Sequence, residues 1–154
     1  MLSKADRSSL NIEFWGLFKK HMRRHMSSNQ RRINWLNYPT VIKHTYLRLH
    51  ADSESASIHF DIQFKDEGIR ELFWHQLLEL KSIINKNIKH PSIWNQHFHL
   101  EGTGYISRIS WVLNDINYFE KTNWNEIHDF FENILCSFDL FYQEFKDVLI
   151  NLIE

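Results

Sequence analysis

The sequence predicts an α+β fold with its elements in the order α-β-β-α-β-β-α, an antiparallel sheet with helices packed on one face and a long C-terminal helix. Three observations carry that prediction. Apolar residues recur at steps of three and four from Asn123 to Glu154, several stretches alternate apolar with polar residues, and these stretches come in pairs joined by turn-forming residues. At 154 residues the chain fits one domain, 1–154, whose first eight residues are expected to be flexible. With twelve Phe and six Trp, the core is expected to be built from rings.

Ser8 or Ser9 is expected to cap a first helix that begins near Leu10 and ends near Ser27. Phe14, Leu17, Phe18 and Met22 lie along one side, and Lys19, Lys20, Arg23 and Arg24 crowd the rest. β-Branched and aromatic content from Val41 to His50 predicts a strand, and strict alternation from Ser57 to Phe64 predicts its hairpin partner. Val41, Leu47, Leu49, Ile58, Phe60, Ile62 and Phe64 form the buried face of that hairpin. Asp66 then caps a helix from Glu67 to about Lys89, with Ile69, Phe73, Leu77, Leu80 and Ile84 inward and Pro91 closing it.

Trp94 to Glu101 alternates again, with Trp94, Phe98 and Leu100 opposite His97, His99 and Glu101. Gly102-Thr103-Gly104 turns the chain into a strand from Tyr105 to Leu113. Matching the apolar sides of this hairpin requires paired residue numbers with an odd sum. After a loop over 114–122, Asn123 and Glu126 make a capping-box-like start to the last helix. Its seam is Trp124, Ile127, Phe131, Ile134, Phe138, Phe141, Phe145, Val148 and Leu152. A second row, Leu135, Tyr142 and Leu149, widens the apolar face, and a second copy is expected to dock there or on the polar face of the sheet.

Net charge is −1, but residues 1–50 hold ten Lys/Arg against two Asp/Glu. The run from Lys19 to Arg32 contains six Lys/Arg and no acid, the pattern of a phosphate-contacting surface as well as of a solvated helix face. Its candidate anion-contacting residues are Lys19, Arg23, Arg24, Arg31 and Arg32, joined by Arg48 and Arg108 on the outer sheet face. That face is expected to carry His44, Tyr46, Arg48, His50, His59, Asp61, His97, His99, Glu101 and Arg108. Alternate strand positions lie about 6–7 Å apart on one face, so His97, His99 and Glu101 form a candidate site for zinc or another divalent metal.

Other classes find little support. The sequence has no G-x-S-x-G elbow and no glycine-rich phosphate loop, and Cys136 sits among packing residues. Glu79-Leu80-Lys81 resembles the ends of an E-x-K nuclease motif but falls within a helical repeat. No apolar run reaches signal-peptide or membrane-spanning length, so a cytoplasmic soluble protein without membrane contact is the expectation.

Phe14-Trp15, Trp35, Tyr38, Thr40, Lys43, Tyr46, Arg48, Ala56, Ile58, Gly68-Ile69, Leu78-Glu79-Leu80-Lys81, Ser107-Arg108-Ile109 and Trp124 together resemble a bacterial domain of unknown function. That domain occurs alone or behind a restriction-endonuclease-like nuclease domain. The resemblance implies a small cytoplasmic bacterial domain accessory to nucleic-acid or defence functions, and it adds Lys43 and Tyr46 to the matching polar positions. The leading expectation is a non-enzymatic, self-associating binding module without a cofactor, contacting nucleic acid, another polyanion or a protein partner. The rival is a metal-dependent hydrolase, such as a divergent nuclease, using Asp61, His97, His99 and Glu101.

Overall fold

The computed structural model describes residues 2–154 and has the predicted α+β architecture. Helix α1 (Lys4–Met22) leads into the hairpin β1 (Thr45–Ala51) and β2 (Ser55–Ile62). Helices α2 (Glu67–Glu79) and α3 (Lys81–Asn87) connect it to a second hairpin, β3 (Ser92–Leu100) and β4 (Gly104–Asn114). Helix α4 (Trp124–Ile153) ends the fold. The strands form one antiparallel sheet in the order β1-β2-β4-β3, so the hairpins meet along β2 and β4.

Several boundaries move for local reasons. Helix α1 begins at Lys4 rather than near Leu10, because Ser3 and Asp6 form a reciprocal capping box. Residues 4–8 are therefore helical. It ends at Met22, short of Ser27. Strand β1 starts at Thr45 rather than Val41: Val41 and His44 have φ of 67° and 68°, left-handed conformations incompatible with a strand. Val41 is thus exposed, and Ile42 takes its place in the core. The single helix expected from Glu67 to Lys89 divides at Leu80, whose ψ of 0° ends α2. Ile69, expected inward, is exposed, while Trp74 and Arg70 are buried.

The second hairpin carries a bulge that alternation alone does not reveal. Ser92↔Trp111 and Trp94↔Ile109 keep the predicted odd-sum register, but beyond Asn95 the pairing shifts to Phe98↔Ile106 and His99↔Tyr105. One extra residue reverses the faces of the strand that follows it. Trp94 therefore faces the helices, 5.2 Å from Trp74. Phe98, expected beside it, instead lies on the outer face under Arg108.

Helix α4 is the centre of the core. Phe138 meets Phe60 of β2 at 5.1 Å, Trp111 of β4 at 6.3 Å and Tyr142 in a stacked pair at 5.2 Å. Two turns nearer the start of the helix, Phe131 takes Phe14, Trp15 and Phe18 of α1. Helix α4 thus packs on the sheet and, nearer its start, on α1. Leu135, Tyr142 and Leu149 are fully buried within the one chain, which removes that row as a docking surface, whereas Val148 of the expected seam is exposed. The Asn123 side chain does not cap α4; its Oδ1 instead accepts from the Asn117 N–H at 2.9 Å and ties down the preceding loop.

Candidate functional site

The end of α1 and the segment after it form a basic cleft of about 370 Å³. After Met22 the chain turns, with the His25 N–H donating to the Met22 carbonyl. Gln30 adopts φ 67°, and its N–H donates to the Ser27 carbonyl, reversing the chain. The segment then returns past the helix end, so Lys19, Met22, Arg23 and His25 face Arg32, Ile33, Asn34, Trp35 and Leu36. Four basic side chains and no acidic one line the space. Arg32 also donates to the Arg23 carbonyl, and the Trp35 indole donates to the His25 carbonyl at 3.2 Å, so the walls brace each other.

A buried carboxylate anchors this segment to α4. Asp139, 2% exposed, accepts from the Ser27 hydroxyl at 2.8 Å, the Ser28 N–H at 2.7 Å and the Tyr38 hydroxyl at 2.6 Å. Burial, reinforced by the hydrogen bond to Asp139, drives the Tyr38 hydroxyl far above its ordinary range, so it stays a donor. Sequence reasoning missed Asp139. Its signal was present: Leu135, Asp139 and Tyr142 follow each other at steps of four and three, a carboxylate inside an apolar row.

Not every cation of the run enters the cleft. Arg31 is exposed outside its lining. Arg24 turns to α4, where its guanidinium donates to Glu132 at 2.7 Å; His21 contacts the same carboxylate at 3.1 Å, and His25 also reaches it. Burial raises the Glu132 carboxyl, but the hydrogen bonds from His25, Arg24 and His21 outweigh it and hold the group at about 2.

The outer sheet face joins Arg48, Asp61 and Arg108 differently from the expected open array. Pairing sets Asp61 opposite both Tyr46 and Arg108. Arg108 grips the carboxylate bidentately, Nε to Oδ1 at 2.6 Å and Nη2 to Oδ2 at 2.8 Å, while Arg48 Nε stands 3.3 Å from Oδ2. Arg108 also lies 4.2 Å over the Phe98 ring and Arg48 4.4 Å over Tyr46. Asp61 is completely buried beneath them. Arg108 is thereby committed to a partner inside the chain rather than free for an outside anion. His59 bridges the hydroxyls of Ser57 and Ser110. Burial, then the charge of Arg108, pushes it down to about 4, so it is neutral at pH 7 and adds no positive charge to this face.

Against this geometry, a family model described as "Domain of unknown function (DUF4268)" matches residues 10–146. The chain belongs to the DUF4268 family. No curated protein matches it in sequence, and no solved structure matches its fold. The matched span takes in the cleft, the Asp61 cluster and most of α4.

In this DUF4268 chain the bulge disperses the histidines of the second hairpin. His99 pairs with Tyr105, their rings 5.2 Å apart, while His97 lies in the irregular stretch and Glu101 in the turn. All three are exposed, and they do not form a three-donor cluster. Asp61, their suggested fourth member, is locked by arginines. Lys43 is exposed in the loop before β1, and Tyr46 is the half-exposed shelf under Arg48. Lys81 of the E-x-K sequence lies over the Trp94 ring at 5.0 Å, where it covers the core edge. Among the described residues no helix is long and apolar enough to cross a membrane.

Proposed function

We propose that this DUF4268 domain is a non-enzymatic module that binds nucleic acid through its sugar-phosphate backbone, using the cleft between α1 and the 32–36 segment. The observation that carries this reading is a space of about 370 Å³ lined by Lys19, Arg23, His25 and Arg32 without an acidic side chain. Such a site attracts phosphates by charge and does not read base sequence. Its apolar wall, Ile33, Trp35 and Leu36, suits the sugar and base edges that accompany phosphates. Within a bacterial cytoplasm the module would serve as an accessory to nucleic-acid chemistry carried out by another domain or protein.

Fluorescence anisotropy of labelled single-stranded and duplex oligonucleotides across salt concentrations tests this. Binding is expected at low salt and to weaken steeply as salt rises. For a duplex, each phosphate neutralised contributes a slope of about −0.9 in log K against log salt. Lys19→Ala and Arg23→Ala each reduce that slope by about one. Absence of binding at low salt, or binding indifferent to both substitutions, overturns the reading.

A further inference from the structure

We propose that the seam between α1 and α4 is a binding site for a divalent transition metal, with His21, Asp129 and Glu132 as its ligands. The three side chains offer ligand atoms that all lie within 4.8 Å of one another. Of these, His21 Nε2 and Glu132 Oε1 are 3.1 Å apart. Ligand atoms around a tetrahedral zinc, with bonds of about 2.0–2.1 Å, sit roughly 3.3 Å from each other. One ion therefore fits between these groups after small side-chain rotations.

The scaffold is suited to hold them. Asp129 and Glu132 are three residues apart on α4, so they share a face of the helix. His21 lies in the last turn of α1, where that helix packs against α4. An imidazole with two carboxylates is a mixed N/O donor set, which suits zinc, cobalt or nickel. His128, next to Asp129, is 6% exposed, and its Nε2 has no hydrogen-bond partner; its ring lies 6.1 Å from that of His21.

The sequence argues against a metal here, because His21 lies among Lys19, Lys20, Arg23 and Arg24. Folding changes the balance by bringing in two carboxylates from a helix more than a hundred residues later. Two partners still compete for Glu132. His25 bonds Oε2, and Arg24 donates to the same oxygen at 2.7 Å. Arg24 is 61% exposed and can swing into solvent without a large desolvation cost. The metal and Arg24 are thus alternative occupants of one carboxylate, and removing Arg24 should favour the metal.

Protein prepared without an affinity tag and stripped by a chelator is titrated with Zn²⁺ by calorimetry and with Co²⁺ by its ligand-field spectrum. One equivalent is expected to bind and to raise Tm. His21→Ala abolishes binding, and Glu132→Gln weakens it by more than the roughly 10–100-fold typical of an outer-shell partner. Arg24→Ala tightens binding. The double variant His97→Ala/His99→Ala leaves metal affinity unchanged. No saturable binding, loss of binding in the His97/His99 variant, or weaker binding in Arg24→Ala would each overturn the site. If Glu132→Gln fails to fold by circular dichroism, Arg24→Ala decides, because it alters an exposed side chain and predicts a gain.

Discussion

The cations of the cleft and the arginines of the outer sheet face carry the same charge in opposite situations. Lys19 and Arg23 line a space with no acid in it, whereas Arg48 and Arg108 close over Asp61, which sits buried between them. An arginine held bidentately by a buried carboxylate contributes to the integrity of the sheet, and its removal leaves an uncompensated charge. A lysine beside open solvent contributes little to folding and remains available to a ligand. Residue type alone therefore does not mark a binding site; the presence or absence of an internal counter-charge does.

Breaking the pairing on the sheet gives the largest expected effect. Asp61→Ala leaves Arg108, 13% exposed, without its partner and is expected to destabilise the fold by about 3–5 kcal/mol in urea unfolding. Next comes the anchor of the cleft wall. Tyr38→Phe removes a buried donor from Asp139 and is expected to cost about 1–3 kcal/mol. It should also weaken oligonucleotide binding by loosening the 27–38 segment, although Tyr38 does not line the cleft.

The contrast also has a pH signature. His59 in the folded chain titrates at about 4, below its ordinary 6.5, so the unfolded chain takes up its proton first. Stability from this group is complete above pH 6.5 and is lost as pH falls toward 4. Unfolding of His59→Gln should lack that component, and the imidazole resonances of His59 should stay unshifted in NMR until pH approaches 4. Glu132 acts lower: held at about 2 against an ordinary 4.5, it stabilises above pH 4.5 and gives this up as pH falls toward 2. The smallest effect on stability belongs to the cleft. Lys19→Ala and Arg23→Ala are expected to change unfolding free energy by less than about 0.5 kcal/mol while reducing nucleic-acid affinity. A large loss of stability in either variant would dissolve the distinction between the two regions.

Much of the architecture was legible because it rests on local periodicity. The apolar steps along α4 and the alternation in β2 and β4 specify an element and its inward face from a few neighbouring residues. The errors arose where the pattern stayed smooth but the backbone did not. In β3 the even positions Trp94, Phe98 and Leu100 suggest one apolar side interrupted by Gln96, and the extra residue after Asn95 moves Phe98 to the other face and undoes the His97, His99 and Glu101 array. Leu80 continues a helical repeat through a point where the helix divides. Val41 has strand propensity, but a left-handed φ removes it from the sheet. Of the candidate cations, Lys19, Arg23 and Arg32 stand close in sequence and line the same cleft. Arg24, in the same run, was separated from them by a carboxylate that no local pattern could supply.

By itself the sequence determined the α+β class, the antiparallel hairpins, the ring-built core and the concentration of positive charge at and beyond the end of α1. Each follows from spacing or composition within a short window. Only the tertiary structure decided which charges remain open. Asp61 and Arg108 are 47 residues apart, and Arg24 and Glu132 are 108 apart. Electrostatic partnership depends on distance in space, and the register of β2 on β4 and the packing of α1 on α4 set those distances.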